Sequence, residues 1–596
     1  MTLARPTRLV GQRSLRGRAW LTRGGGARCA ASLTALLAAC SGTLDAPNAS
    51  AVRDCAGLPA TSLRSAQAAV ADCSNGGTRA LVAAGGANYL IVAQLATDKS
   101  STGPVAYTLS ADTSPAAAAM ADFAPPPAVA ARAPVADGGL QSTFDLRLRA
   151  RERARGGTPL LPATPPLART ANAAPADAVP APGSVRTFHV LTDYTAANDV
   201  WATVTAQLDY IGARVLIYSD TRTPYAGFTQ AALAQFGQYF DQTLFPIDTG
   251  AFGPPSDVDA NGHVIMLMSP AVNAGTPSSI CQTQGFVAGF FNGQDFNGAA
   301  DPNSNGGEIF YSLVADPQGA YGCPHPASEV SSIEPAVFLH ELQHLISYSQ
   351  HVVVGRGTPA ASWMDEGLSL VAEELGSAYY EAQCPPPACR TDPNQLLPDS
   401  SLGFARTFML DSYAFASNPD TVSLTVHADR DLGTAWRGGA WALMRWLGDH
   451  MPPGFYRRLE TTQGGGVSAI ESASGGQDFS ALFGNFGLAL YTDSLPGMPR
   501  NTVPVSDRFS SRNTHQLWTN LYGTSAAQEL PFPIPLHPVT ASPAPMRLLP
   551  GGMAFWRLAT SSQAATETIR FSAPDGRALD PTLHPQLVIF RLPPGQ

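Results

Sequence analysis

Hydrophobic and polar residues alternate over several short segments that begin near residue 184. The alternation is clearest at 187–191 and at 200–210, and a short apolar run follows at 215–218. A period of two is typical of strands with one buried face. The pattern therefore predicts three strands at the start of an ordered region that extends to about residue 520.

The period then changes to three or four residues over 228–245, with Leu233 and Phe236 among the apolar positions. This spacing predicts a helix, which we expect to end at Pro246. Apolar runs at 264–268 and 308–313 predict two further strands. The second is either an internal strand or an edge strand that pairs with an extended substrate. Beyond these strands the pattern is mainly helical.

Three flanking regions differ from this central one in composition. Residues 41–112 contain short β-like runs separated by Gly and Ser, which predicts a small β-rich N-terminal domain. Residues 113–183 are rich in Pro and Ala, which predicts a linker or a pro-segment. Residues 530–596 again contain β-like runs, so we expect a small C-terminal β domain after the main domain of residues 184–520.

The first residues have the composition of a targeting segment. Residues 1–28 carry seven Arg and no acidic residue, and a short apolar stretch follows. It ends in Leu-Ala-Ala-Cys40, which resembles the lipobox of bacterial lipoproteins. We therefore predict a lipoprotein signal peptide at 1–39, lipidation of Cys40 and a place in the bacterial cell envelope, at the outer membrane or cell surface. The alternative is an ordinary signal peptide and a secreted protein.

The overall charge excludes some classes of partner and mechanism. The formal net charge is −9 and the pI is about 5.7, which argues against nucleic acid as a partner. We expect contact with a membrane only through the lipid anchor. Lys99 is the only lysine, so a phosphate-gripping P-loop lysine and a Schiff-base lysine are both absent from the main domain.

Cysteine usage agrees with export. Six of the eight cysteines lie beyond the leader, an even number that predicts disulfides. Six cysteines allow fifteen connectivities, and the sequence does not choose among them. Pairing of sequence neighbours would join Cys55 to Cys73, Cys281 to Cys323, and Cys384 to Cys389.

One short motif carries recognisable chemistry. In the apolar segment 336–346, His340 and His344 are four residues apart, so on a helix their imidazoles project from one face and can bind one metal ion. Glu341 lies beside them and can take a proton from a metal-activated water that attacks a carbonyl. Unpaired His and Glu in such an apolar segment would be costly, which favours a metal site.

A catalytic zinc site usually has three protein ligands and a water. Glu366 is a suitable third residue, since it lies in a second predicted helix after room for a loop. The gluzincin arrangement is similar to two motifs of this chain, His340-Glu-Leu-Gln-His344 and Trp363-Met-Asp-Glu-Gly367. The sequence of these motifs most resembles that of the hyicolysin family of secreted bacterial zinc metallopeptidases. The similarity extends over residues 185–520 and is strongest at 307–376.

The resemblance implies specific roles and a fold. His340, His344 and Glu366 would be the ligands of one catalytic Zn²⁺, with Glu341 as the general base. The expected fold class is α+β, with a thermolysin-like catalytic domain that has a β-rich first half and a helical second half. Small β-rich domains would flank it.

Other site residues are less well defined by the sequence. Glu373 lies two turns after Glu366 and either orients a ligand imidazole or belongs to a solvated helix face. Related aminopeptidases supply a Tyr to the oxyanion, but this chain has Trp436 at the comparable place. The donor therefore stays unassigned among five candidates, which are Trp436, Arg437, Tyr413, His427 and His450.

The segment 257–262, Asp-Val-Asp-Ala-Asn-Gly, is similar to the start of a calcium-binding loop. The Glu expected six residues after the Gly is replaced by Met268. A tight turn is the alternative to a Ca²⁺ site.

Together these patterns predict an exported zinc metalloendopeptidase that hydrolyses peptide bonds of proteins or peptides. The alternative is a catalytically silent surface lipoprotein that binds peptide or protein partners. The absence of a G-x-S-x-G segment argues against nucleophilic serine catalysis.

Overall fold

The chain has an α+β structure, with strands at both ends and helices concentrated after residue 326. A computed structural model describes residues 53–55, 63–99, 103–112, 139–155, 179–195, 199–383, 399–426, 433–493, 495, 498, 503–519 and 532–594. The strands are β1 (Arg53–Asp54), β2 (Ala68–Asp72), β3 (Arg79–Ala83), β4 (Asn88–Leu95), β5 (Val105–Ala111), β6 (Val185–Leu191), β7 (Trp201–Ile211), β8 (Val215–Asp220), β9 (Val264–Met268), β10 (Gly289–Phe291), β11 (Ile309–Ser312), β12 (His537–Pro538), β13 (Met546–Leu548), β14 (Met553–Ala559), β15 (Thr566–Ser572) and β16 (Pro585–Arg591). The helices are α1 (Gly139–Arg155), α2 (Gln230–Tyr239), α3 (Phe245–Ala251), α4 (Pro270–Ala274), α5 (Cys281–Gln284), α6 (Ala327–Tyr348), α7 (Ser362–Gln383), α8 (Asp399–Ser417), α9 (Ala435–His450), α10 (Phe455–Thr461), α11 (Gly466–Ala473), α12 (Phe479–Thr492) and α13 (Thr514–Thr519).

A six-stranded mixed sheet packs against α6. Its order is β10-β11-β9-β8-β7-β6, with β8, β9 and β11 parallel to one another and β10 antiparallel to β11. All five residues of β9 are buried apolar side chains, as expected for a strand covered on both faces. Because β10 pairs with β11, the predicted strand at 308–313 is internal. The edge next to α6 is formed by β10.

The strands of the two flanking regions form a shared β-sandwich. One sheet has the order β1-β2-β16-β4-β14-β12, and the other β13-β5-β15-β3. Side chains from both regions, including Ile91, Tyr107, Trp556 and Leu587, fill the core between the sheets. This arrangement differs from the two separate small domains expected from sequence. A few short strands cannot bury a core alone, whereas ten strands in two sheets can.

Helices α6, α7, α8 and α9 pack together into one apolar core. The segment predicted as one helix at 228–245 is α2, then a π-helical turn at Phe240–Leu244, then α3. Pro246 does not end it, and helical structure continues to Ala251. Pro246 lies in the first turn of α3, where the missing N–H leaves no helical hydrogen bond unmade.

Helix α1 lies within the region expected to be a linker or pro-segment. Leu140, Phe144 and Leu148 follow helical spacing and are buried in the core beside the mixed sheet. The ring of Phe144 lies 4.5 Å from that of Tyr194 and 5.2 Å from that of Phe290. Residues 139–155 therefore pack as part of the folded protein. The Pro- and Ala-rich residues 113–138 and 156–178 lie outside the described ranges.

Two of the predicted disulfides are present. Cys55 is bonded to Cys73 and Cys281 to Cys323, with Cα–Cα distances of 4.9 and 6.3 Å. Cys384 and Cys389 lie outside the described residues, as does the leader with Cys40. None of the described helices combines the length and the apolar character needed to cross a membrane.

Candidate metal centre

Two packed helices bring the three predicted zinc ligands together. His340 and His344 lie one turn apart on α6, and Glu366 lies on α7. The two Nε2 atoms are 3.2 Å apart, and each is 3.6 Å from an oxygen of Glu366. All three ligand atoms lie within 4.8 Å of one another. Two imidazoles and one carboxylate at this spacing match the donor set of a catalytic zinc site.

The glycine that follows Glu366 sets how closely its helix approaches α9. A Cβ atom on Gly367 would lie 3.0 Å from the backbone of Ala440 on α9. A side chain here would push the two helices apart and move the carboxylate. Close helix packing thus explains why Gly follows Glu366 in the motif. It also places α9, which carries Arg437, next to the ligands.

The second nitrogen of each imidazole is held by a carboxylate. His340 Nδ1 lies 2.9 Å from Glu373 Oε1, and His344 Nδ1 lies 3.0 Å from Asp365 Oδ2. The hydroxyl of Ser369 lies 3.1 Å from the same nitrogen of His344. With Nδ1 donating to a carboxylate, the neutral form of each ring would present the lone pair of Nε2 on the side of Glu366, where a metal ion could bind.

The surroundings affect the two imidazoles differently. Burial, together with Arg149, lowers the pKa of His344 well below its usual range, so this ring is in the neutral form that binds a metal. Burial also acts to lower the pKa of His340, but hydrogen bonds with Glu366 and Glu373 outweigh it and raise the pKa to about 10. His340 is therefore protonated at neutral pH, and a metal ion would have to displace the proton on Nε2 to bind there.

Glu366 provides the negative charge of the group. Its side chain is fully buried, and its Oε1 accepts no hydrogen bond from the described residues. Burial acts to raise its pKa, but Arg437 and the two histidines hold the pKa well below its usual range. A buried ionised carboxylate with an oxygen left open toward two imidazoles fits a metal ion, which would satisfy that oxygen.

Glu341 points toward the edge strand rather than into the ligand group. Its Oε2 accepts a hydrogen bond of 2.8 Å from the backbone N–H of Phe291 on β10. Burial, with the nearby Asp145 carboxylate, raises the pKa of Glu341 to about 8. A carboxyl group with a pKa near neutrality is suited to accept and return a proton.

Among the five candidate oxyanion donors, Arg437 is found at the ligands. Its Nε lies 3.2 Å from Glu366 Oε2, and its Nη2 lies 3.3 Å from His340 Nε2. The two ring nitrogens of His450 are close to the backbone oxygens of Trp446 and Val505, at 2.6 and 2.8 Å. His427 lies outside the described residues.

Two carboxylates at the site were missed by the sequence analysis. Asp365 holds His344 and directly precedes Glu366 in the sequence. Its place in the same motif could have indicated this role. Asp145 lies on α1, and one of its oxygens is within 4.8 Å of ligand-type atoms of His340 and Glu341. Burial and the proximity of Glu366 raise the pKa of Asp145 to about 7. The sequence feature that could have indicated a role for Asp145 is the helical spacing of apolar residues around it, inside a region otherwise rich in Pro and Ala.

A cleft of about 540 Å³ opens beside this group. Its walls come from the segment just before β10, from α6 and α8, and from single residues of α1, α7 and α9. The lining includes Ala288, His340, Glu341, Arg406 and Arg437. The predicted general base and one predicted ligand are thus accessible from a cavity of the size that binds small ligands or short peptide segments.

The predicted calcium loop forms a second acidic group. Oxygens of Asp257, Asp259 and Glu308 lie within 4.8 Å of one another. The Glu308 carboxylate is buried and accepts hydrogen bonds from the Ser256 hydroxyl and the Val258 N–H. The backbone N–H of Gly262 donates to Asp257. The loop therefore has internal hydrogen bonds that a tight turn requires, and calcium binding stays a prediction.

Comparison with known proteins gives one distant relationship. No protein-family model matches the chain. The neutral metalloprotease ShpI of Staphylococcus hyicus is 24% identical to it over 192 residues. The matched segment is 32% of this chain and 40% of that protein, so the chain spans well under two thirds of the relative's length. The chain is thus distantly related to a metalloprotease.

Proposed function

We propose that this protein is an exported zinc-dependent endopeptidase of the gluzincin type, similar to the hyicolysin family. The observation that supports this most is the convergence of His340 Nε2, His344 Nε2 and Glu366, with both Nδ1 atoms held by carboxylates. Nothing in a purely structural helix pair requires two imidazoles to be fixed with their free nitrogens toward one buried carboxylate. The relationship to a metalloprotease supports the same chemistry.

Each residue has a role in this proposal. His340, His344 and Glu366 hold the ion, and zinc supplies a Lewis acid that makes an attacking water more acidic and polarises the scissile carbonyl. Glu341 takes the proton from the water and delivers it to the leaving amine. Arg437 places its guanidinium beside the ligands, where it can donate to the oxygen that gains negative charge.

The substrate we propose is an extended segment of protein or peptide. Strand β10 is the edge of the mixed sheet, and it adjoins Glu341. An edge strand binds an extended chain through backbone hydrogen bonds, with little demand on its side chains. We further propose that the protein acts in the cell envelope, attached to the membrane only through lipidated Cys40, and that it binds no nucleic acid.

The test measures zinc content and casein hydrolysis for the wild type, Glu341→Gln and His344→Ala. Glu341→Gln should retain zinc and lose hydrolysis by a factor of about 10² to 10⁴, the usual contribution of a general base. His344→Ala should lose both zinc and activity. His537→Ala is the matched control, because this histidine lies on β12 of the sandwich, and it should behave as the wild type.

Two outcomes would reject the proposal. One is a wild-type protein that binds no zinc after metal loading. The other is a protein that binds zinc through His344 but cleaves no protein or peptide, which would favour the silent binding lipoprotein instead.

A further inference from the structure

Helix α1 lies against the edge strand of the cleft. Phe144 on α1 is fully buried and contacts the ring of Phe290 on β10 edge-on, at 5.2 Å. Leu140 and Leu148, one turn to either side, are buried in the same core. The apolar face of α1 therefore packs on one face of the mixed sheet, at its β10 end.

Polar side chains of α1 bind the backbone of this edge. Gln141 Nε2 donates to the carbonyl of Gly289 at 2.9 Å, and Gln141 Oε1 accepts from the N–H of Ala288 at 3.0 Å. Arg149 Nη2 donates to the carbonyl of Phe291 at 3.0 Å. An extended substrate would pair with these same backbone groups. These backbone groups cannot form hydrogen bonds with α1 and with a substrate at the same time.

One carboxylate of α1 points to the reaction centre. Asp145 is 2% exposed, and its Oδ1 accepts a hydrogen bond of 2.8 Å from Gln141. Its Oδ2 has no hydrogen-bond partner among the described residues. A carboxylate oxygen of Asp145 lies within 4.8 Å of atoms of His340 and Glu341. A buried oxygen with no donor, next to a ligand and the base, is in the region that an attacking water must occupy.

Helix α1 is also joined to the residues that support the ligands. Arg149 is buried and forms ion pairs with Glu152 at 3.1 Å and with Asp365 at 3.7 Å. Asp365 is the carboxylate that holds His344. Glu152 in turn accepts a hydrogen bond from the N–H of Gly293, just after β10. Polar contacts therefore join α1 both to β10 and to the metal centre.

We propose that α1 is a built-in inhibitor of the peptidase, with Gln141 and Arg149 covering the substrate edge and Asp145 lying beside His340 and Glu341, where an attacking water would be held. This inference rests on the proposed zinc peptidase function. Displacement of α1 would free the backbone of β10 and remove Asp145 from its place beside His340 and Glu341. The chain as folded here is thus partly inhibited, and its basal activity comes from the fraction of molecules in which α1 is displaced.

The first test compares Asp145→Ala with the wild type as full-length, zinc-loaded proteins. Asp145→Ala should hydrolyse a short fluorogenic peptide at least about tenfold faster, because activity scales with the fraction of molecules whose site is open. Its zinc affinity, measured by competition with a chromogenic chelator, should fall, because a carboxylate beside His340 that attracts the cation is lost. Thr143→Ala is the control, since Thr143 is exposed on the same helix.

The second test measures binding of an extended peptide without turnover. In a Glu341→Gln background, Gln141→Ala should bind the peptide more tightly than the parent, because Ala288 and Gly289 are then free to pair. A folded Asp145→Ala protein with wild-type zinc affinity and equal or lower activity would overturn the inference, as would unchanged peptide affinity in Gln141→Ala. The proposed function fails separately, if the wild type and Asp145→Ala both bind zinc without hydrolysis, or bind none.

Discussion

Glu373 Oε1 lies 2.9 Å from His340 Nδ1, so a buried carboxylate on α7 fixes an imidazole on α6. The sequence left Glu373 between this role and a solvated helix face, and the structure shows the contact. The bond selects the tautomer whose Nε2 faces Glu366 and makes that nitrogen more basic.

We therefore expect Glu373→Ala to weaken zinc binding by about 10- to 100-fold, the usual cost of removing such a support. Isothermal titration or chelator competition measures this directly. Glu373→Gln is the matched control, since its amide oxygen can still accept the hydrogen bond and should preserve most of the affinity. Equal zinc affinity in Glu373→Ala and the wild type would contradict the role.

Arg437 is predicted to affect turnover more than substrate binding. Its guanidinium lies beside Glu366 and His340, where a tetrahedral oxyanion would form. Arg437→Met should lower kcat by about 10² to 10³, as removal of an oxyanion donor does in other hydrolases, with a smaller change in KM. Arg437→Lys keeps the charge but loses the planar fork, so it should recover part of the loss. A change confined to KM would show a role in ground-state binding instead.

Close packing of α8 and α9 beneath the site depends on Gly438. A Cβ atom at this position would lie 2.0 Å from the backbone carbonyl carbon of Asp411 on α8. Gly438→Ala should destabilise the protein by about 1–3 kcal/mol, the cost of overpacking, and lower the melting temperature. Gly433→Ala is the control, because its Cβ would meet no atom within 4 Å. Equal melting temperatures for the two variants would contradict this close approach.

Glu308 is expected to make stability depend on pH. Burial raises the pKa of its carboxyl to about 8, whereas in the unfolded chain it is about 4.3. The native state therefore holds the proton more tightly, and the stabilisation is complete below the unfolded pKa and is lost as pH rises toward 8. Glu308→Gln retains the acceptor for Ser256 and cannot ionise. Its melting temperature relative to the wild type should thus rise between pH 5 and pH 8.

A pH-independent difference in melting temperature between the wild type and Glu308→Gln would contradict the raised pKa of Glu308. Asp575→Asn, at an exposed carboxylate in the sandwich, is the control for the general effect of removing a charge.

The predicted calcium site is tested with the same two proteins at pH 8. Added Ca²⁺ should raise the melting temperature of the wild type but not of Glu308→Gln, and no rise in either would favour the simple turn.

Local patterns explain how much of this arrangement could be predicted. Alternation located β6 and β7, and short apolar runs located β8 and β9, to within a few residues. Both patterns are visible within a single segment of sequence. The spacing of His340 and His344 on a helix is equally local. The sequence predicted disulfides but left their connectivity open, and the structure pairs the sequence neighbours Cys55 with Cys73 and Cys281 with Cys323. Short loops favour such pairs.

Other features depend on contacts between distant segments, which a single sequence does not reveal. The pairing of β4 with β14 and β16 needs strands from both flanking regions, and each region alone has the composition of a small domain. Asp145 is similar, since its role comes from how α1 packs on β10 and not from its neighbours in sequence. The edge position of β10 was also hidden, because a three-residue strand has too few positions to show a period.

The shared sandwich has a consequence for biosynthesis. Gln586 on β16 donates to Gln94 on β4, although the two are 492 residues apart in the chain. Strand β4 of this sheet stays unpaired on one side until β16 has been synthesised, so the complete sheet can form only after that strand is made. A ribosome that stops early would release a chain with an open hydrophobic strand edge, a target for chaperones and for quality-control proteases.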